Sequence, residues 1–266
     1  MLILISAALA YAAIYFIVSR VIYDPTRYPG GWWHTQTTFG ARDVELRSSD
    51  NVRLHAWWVE PPPDVPKARV VTLYFHGNGG NIANRPGHLR EIGAAGSPIL
   101  VPDYRGYGKS EPRLPTERGL YRDAEAAYDY LIAMGYPPER IVVLGESLGA
   151  AIAAHVASRR PCAGLVLECP FTSLSAMAGH YVPLIGRLFA SGYRTRRKIA
   201  SVHVPVLIIH GDLDRTVPYA MGRAVFAAAH EPKSFWTVEG AAHLDVVAVA
   251  GPRYHERLRA FYESLI

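Results

Sequence analysis

Hydrophobic and polar positions divide the chain into stretches with different periods. Leu2 to Val18 is an unbroken apolar run relieved only by Ser6 and two tyrosines. Residues 24–39 lose periodicity and carry Pro25, Pro29, Gly30 and Gly31, the composition of a linker. Ala41 to Arg47 and Val52 to Glu60 then alternate apolar with polar residues across Ser48-Ser49-Asp50-Asn51, which predicts an antiparallel hairpin. Beyond the hairpin alternation stops. Val70–Phe75, Ile99–Pro102, Ile141–Leu144, Leu165–Leu167, Val206–Ile209 and Phe235–Val238 are short apolar runs, as strands buried on both faces are. Helical periods fill the gaps, most clearly at Thr116–Met134, Leu148–Arg159 and Pro218–Ala229, with Thr116 as N-cap and Gly135 just past the end. Strands and helices in alternation predict an α/β fold with a mostly parallel sheet and helices on both faces. Ligands of such sheets bind beyond the carboxyl ends of the strands, so the residues following each strand carry the functional information.

The opening run is the first candidate for function. Its 17 positions span about 26 Å as a helix, slightly short of a hydrocarbon core of about 30 Å. Ser19 and a snorkelling Arg20 complete the span. A cleaved secretory signal fits less well, because Met1 is followed directly by Leu2 with no basic region and Ala8-Leu9-Ala10 lies inside the run. A buried core helix is the third reading. The expected organisation is a single-pass N-terminal membrane helix at 1–23, a linker at 24–39 and a catalytic domain at 40–266. Arg20 and Arg27 on the C-terminal flank favour a cytoplasmic catalytic domain.

Composition narrows the partners. With 50% hydrophobic and 19% charged residues, the 266-residue chain buries a sizeable core and is not intrinsically disordered. The net charge of +5 is carried almost entirely by dispersed arginines, and no nucleic-acid motif accompanies them, so nucleic acid is not an expected partner. Cys162 and Cys169 flank the Gly164–Glu168 run. As ends of a strand they stand about 23 Å apart, beyond disulfide reach.

Chemistry gathers at three strand ends. Gly145-Glu146-Ser147-Leu148-Gly149 follows one apolar run and opens a helical stretch, which is G-x-S-x-G in a strand–turn–helix context. The turn is sharp, so the positions two before and two after the serine must be small, and both are glycine. It exposes the Ser147 hydroxyl and sets the Leu148 N–H at a helix N-terminus, facing any anion that forms there. Serine needs a base to take its proton, and a histidine oriented by a carboxylate supplies one. His243 follows Phe235–Val238, and Asp214 lies in His210-Gly211-Asp212-Leu213-Asp214 after Val206–Ile209. Asp212 and Asp245 are rival carboxylates, the first suited to bracing its loop and the second to capping a helix. The chain order Ser147, Asp214, His243 is the one associated with this elbow. Gly108-Lys109-Ser110 is not a phosphate-binding loop, because the glycine required five residues earlier is Asp103. Neither metal-ligand spacing nor a nucleotide fingerprint is present, so no cofactor and no metal are expected.

These motifs, with His76-Gly77-Asn78-Gly79-Gly80-Asn81, Asp103-Tyr104-Arg105-Gly106-Tyr107-Gly108-Lys109-Ser110 and Pro170-Phe171-Thr172-Ser173, resemble a serine hydrolase of the α/β-hydrolase superfamily. The resemblance covers roughly residues 40–266 and is strongest to the membrane-anchored acyl-hydrolase branch of protein depalmitoylases and lysophospholipid lipases. It implies an α/β-hydrolase fold with Ser147, Asp214 and His243 as catalytic residues. The N–H groups of Asn78 and Leu148 would form the oxyanion hole, and Asp103 and His76 would brace loops. It also implies a cap, here short, at about 170–203. That interval mixes Phe171, Tyr181, Leu184, Ile185, Phe189 and Tyr193 with the basic residues Arg194, Arg196, Arg197 and Lys198. An apolar cap suits an acyl chain, and the basic cluster suits either anionic lipid head groups or a solvated helix end. No acidic residue lies between Phe171 and Ile209 to hold a substrate amine, which disfavours a peptidase. The expected activity is hydrolysis of acyl esters or thioesters of a small-molecule or lipid substrate. A protein or acyl-CoA thioesterase and a non-catalytic binding member of the fold are the alternatives.

Overall fold

The structure, a computed structural model, describes residues 22–183 and 190–265. An antiparallel hairpin of β1 (Arg42–Arg47) and β2 (Arg53–Val59) leads into β3 (Val71–Phe75), β4 (Ile99–Pro102), β5 (Ile141–Glu146), β6 (Gly164–Glu168), β7 (Val206–Gly211) and β8 (Lys233–Val238). The strands lie in one sheet in the order β1-β2-β4-β3-β5-β6-β7-β8. All pairings from β4 to β8 are parallel, and the hairpin joins antiparallel through β2 and β4.

The missing alternation in the central strands has its cause in what covers the sheet. Val143, Leu165, Leu167 and Ile208 face one core, which receives Leu120 and Ala124 from α3 (Glu117–Ala133) and Ile152 from α4 (Leu148–Ala157). Val142, Leu144, Val166 and Ile209 face the other, which receives Leu89 and Ile92 from α2 (Pro86–Ala94) and Leu258 and Phe261 from α9 (Pro252–Glu263). Both faces exclude water, so both sets of positions are apolar. The predicted N-cap is present, with the Thr116 hydroxyl accepting from Gly119 N at 3.0 Å, a contact worth about 1 kcal/mol. Cys162 and Cys169 are both buried and free, at either end of β6.

One segment differs from expectation. Residues 24–39 are not a slack linker. They contain α1 (His34–Thr38), and residues 23–31 form a strap that pairs with Gly80 and Gly108. No hydrophobic period announces such pairing, because it is made by backbone groups across loops. Trp33 packs edge-on against Trp57, whereas Trp32 is exposed. The cap interval contains α5 (Leu174–Tyr181) and α6 (Thr195–Ile199). Thr195 and Ile199 are buried while Arg194, Arg196 and Arg197 are exposed, so the basic cluster is the solvated end of a helix packed on the core. Leu184, Ile185 and Phe189 lie outside the described residues, as does the Leu2–Val18 run expected as an anchor. Among the described residues no helix is long and apolar enough to cross a membrane.

Candidate active site

Ser147 sits between β5 and α4 with φ 54° and ψ −111°, a backbone region that L-residues resist. The turn is tight because strand and helix nearly touch. A Cβ on Gly145 would lie 2.1 Å from the Gly149 carbonyl oxygen, and one on Gly149 would lie 2.0 Å from the carbonyl oxygen of Phe75. Only glycine fits at either position. Ser147 N donates to Glu168 O at 2.9 Å, which ties the elbow to β6.

His243 and Asp214 arrive on the loops after β8 and β7. Asp214 Oδ1 accepts from Thr216 N at 2.9 Å and Val217 N at 2.8 Å, which leaves Oδ2 to accept from His243 Nδ1 at 2.7 Å. With its Nδ1 proton committed to a carboxylate, His243 presents the lone pair of Nε2 to the Ser147 hydroxyl, which donates across 3.0 Å. Burial works against ionisation of Asp214. The hydrogen bonds from His210 and His243 outweigh it and hold the carboxyl well below the usual carboxylate range. Burial likewise disfavours the His243 imidazolium, but the hydrogen bond to Asp214 and its charge, with Glu146 and Glu168 beyond, hold its pKa above the ordinary value.

The rival carboxylates have other partners. Asp212 Oδ1 accepts from Gly240 N at 2.7 Å, which joins its loop to the one carrying His243. Asp245 occupies the N-cap position of α8 (Val246–Ala250), yet its side chain turns back to accept from Ala242 N at 2.6 Å. Asp103 Oδ1 accepts from Ile82 N at 3.0 Å, and the ring of buried His76 packs at a tilt against that of Tyr104, so both lie in the framework of the neighbouring loops. Among the described residues, Cys169, Asp214 and His243 form the cluster with donor atoms close enough to grip a metal ion. Two of the three are already bonded to each other.

Several supporting residues are not singled out by the sequence motifs. His210 Nε2 donates to Val217 O at 3.0 Å and lies 3.3 Å from Asp214 Oδ2, so it braces the carboxylate from behind. Glu146 and Glu168 are register partners on β5 and β6, two buried carboxylates side by side. Such a pair requires countercharge. Arg85 Nε lies 3.2 Å from Glu146 Oε2, and His88 Nε2 donates to Glu168 Oε1 at 3.1 Å. Tyr74 and Tyr254 donate their hydroxyls to Glu146 and Glu168 at 2.8 and 2.6 Å. The cluster reaches the Asn78 loop. Gly77 N donates to Glu146 Oε2 at 3.2 Å, and Arg85 Nη2 donates to the carbonyls of Gly77 and Gly79 at 3.3 and 2.5 Å. The signal in the sequence is a glutamate closing each of two otherwise apolar strands.

Leu213 and Leu244, the chain neighbours of Asp214 and His243, are exposed. Exposed Tyr181, at the end of α5, donates its hydroxyl to Thr216 O at 2.9 Å and so brings the cap over the Asp214 loop.

The comparisons with known proteins agree with this architecture. The sequence profile described as "alpha/beta hydrolase fold" matches residues 71–191. The chain is 37% identical over 263 residues to an uncharacterized protein of Mycobacterium tuberculosis, Rv2307c, covering 97% of this chain and 92% of that one. It is 33% identical over 244 residues to the alpha/beta hydrolase domain-containing protein WAV2 of Arabidopsis thaliana, covering 84% and 78%. Its fold is similar to that of the Pyrococcus furiosus esterase Pf2001, with a TM-score of 0.74, 20% identity and coverage of 91% and 98%.

Proposed function

The chain belongs to the alpha/beta hydrolase fold family, and from that premise we propose that it is a serine hydrolase cleaving acyl esters or thioesters through an acyl-enzyme. The observation that carries the proposal is the continuous hydrogen-bond line from Asp214 through His243 to Ser147 at 2.7 and 3.0 Å. Ser147 Oγ attacks the acyl carbonyl as its proton passes to His243 Nε2, and Asp214 stabilises the imidazolium that forms. The N–H groups of Asn78 and Leu148 receive the oxyanion, a contribution of about 3–4 kcal/mol per donor. His243 then protonates the leaving group and activates the water that releases the acyl chain.

The exposed apolar side chains of Leu213 and Leu244, chain neighbours of Asp214 and His243, support an acyl substrate over a polar one. The Leu2–Val18 run supports membrane anchoring, which would keep the site beside lipid-embedded acyl groups. The test is Ser147→Ala in the full chain. It should fold with an unchanged circular dichroism spectrum while losing both turnover of a soluble short-chain ester and labelling by a fluorophosphonate probe. Ester turnover near the parent rate in the folded variant would exclude this mechanism.

A further inference from the structure

The loop that presents Asn78 runs from the end of β3 to a short 3-10 turn at Ile82–Asn84. A donor on such a loop is useful only if it is held before the oxyanion forms, because a donor that must swing into place loses the advantage of preorganisation. Arg85 and Glu146 hold the loop on its inner side. Its other side meets the strap.

The strap is an extended segment wedged between two loops. Gly80 N donates to Asp24 O at 3.3 Å and Thr26 N donates back to Gly80 O at 3.0 Å. Two residues on, Gly108 N donates to Thr26 O at 3.0 Å and Tyr28 N donates back to Gly108 O at 2.9 Å. Asn81 Nδ2 adds bonds to the carbonyls of Thr26 and Gly30 at 3.0 and 2.9 Å. Most directly, Asp24 N donates to Asn78 Oδ1 at 3.3 Å, and the Tyr107 hydroxyl donates to the same oxygen at 3.0 Å. The second loop is itself rigidly held, because buried Arg105 pairs with Asp123 and Asp50. Tyr23, at the head of the strap, is buried, and its hydroxyl lies 2.7 Å from that of Tyr193 in the cap interval.

The geometry points to the strap, residues 23–31, as a positioning element that sets the Asn78 N–H for the oxyanion. This rests on the proposed role of Asn78. The strap pairs with the loops around Gly80 and Gly108 rather than with Ser147, Asp214 or His243, so its effect on the reaction passes through the 78–81 loop. Of the two donors to Asn78 Oδ1, one is the strap itself and the other stands on the Tyr107 loop that the strap joins. Loss of the strap pairing therefore frees the loop on its outer side and should raise the barrier to forming the tetrahedral intermediate more than it weakens substrate binding.

The experiment uses the full chain and a soluble p-nitrophenyl ester. Thr26→Pro deletes the N–H that Gly80 accepts, and Thr26→Ala, which keeps it, is the reference. Relative to that reference, kcat should fall about tenfold or more while KM stays within roughly twofold. Affinity for a trifluoromethyl ketone, whose adduct with Ser147 places an oxyanion in the hole, should fall by the same factor as kcat/KM. A merely structural strap would lower the melting temperature and leave both ratios unmoved in the folded protein. A kcat within twofold of the reference overturns the inference, as does a loss of kcat with undiminished ketone affinity. If Thr26→Pro does not fold, Asn81→Asp decides. It keeps the oxygen that accepts from Ala83 N and loses the amide that donates to Thr26 and Gly30. The same fall in kcat and ketone affinity supports the inference, and parent values overturn it. Failure of the hydrolase reading shows separately, as parent enzyme with no turnover above Ser147→Ala.

Discussion

Ser147 holds a backbone conformation that costs about 1–3 kcal/mol, and its N–H to Glu168 is among the bonds that offset this. His243 carries the corresponding electrostatic consequence. In the proposed mechanism only the neutral imidazole takes the serine proton, and Asp214 holds the His243 pKa above its ordinary value. The rate kcat/KM should therefore climb with pH through a midpoint above the unperturbed value of about 6.5. A pH–rate profile on a soluble ester checks this, and a midpoint below that value would contradict the coupling to Asp214. The hydrogen-bonded grouping of Ser147, Asp214 and His243 is legible in the sequence because each lies within a few residues of the end of an apolar strand, where the α/β pattern directs attention. His210 is not legible as a support for Asp214, since its contact with Val217 O depends on how the loop folds back. Arg85 and His88 are silent for a similar reason, because charged residues in a helical stretch ordinarily face water.

At the scale of elements, the close approach of α4 to β3 makes a testable demand. Gly149→Ala places a methyl against the Phe75 carbonyl, and the displacement should cost on the order of 3 kcal/mol. That predicts a melting temperature lower by roughly 6–12 °C together with reduced turnover. A variant melting like the parent would show that the elbow yields more easily than this geometry implies. The strands and the helices Glu117–Ala133, Leu148–Ala157 and Tyr219–Ala228 are legible within a few residues, because apolar runs buried on both faces and an N-capped amphipathic helix leave local marks. The strap is not. Its partners are backbone atoms of Gly80 and Gly108, some 55 and 80 residues away, and glycine and proline write "loop" whether a loop hangs free or is pinned.

For the whole molecule, the strap decides where the proposed anchor can be separated from the enzyme. Tyr23 is buried against the domain, so the informative deletion ends at residue 21 and spares it. That deletion should leave soluble-ester turnover within about twofold and lower turnover of long-chain substrates in vesicles, with the deficit shrinking in detergent micelles. The ratio of vesicle rate to soluble-ester rate is the measurement, and equal ratios for full-length and shortened protein would contradict a role in local concentration. The order of the parts along the chain has a consequence for synthesis. The strap leaves the ribosome before either of its partner loops, and it has nothing to pair with until Gly80 and then Gly108 have emerged. The elbow follows, and the histidine comes last, beyond the eighth strand. A nascent or prematurely terminated chain ending before residue 243 therefore carries Ser147 without His243, so hydrolysis by the proposed route requires synthesis to have passed that residue.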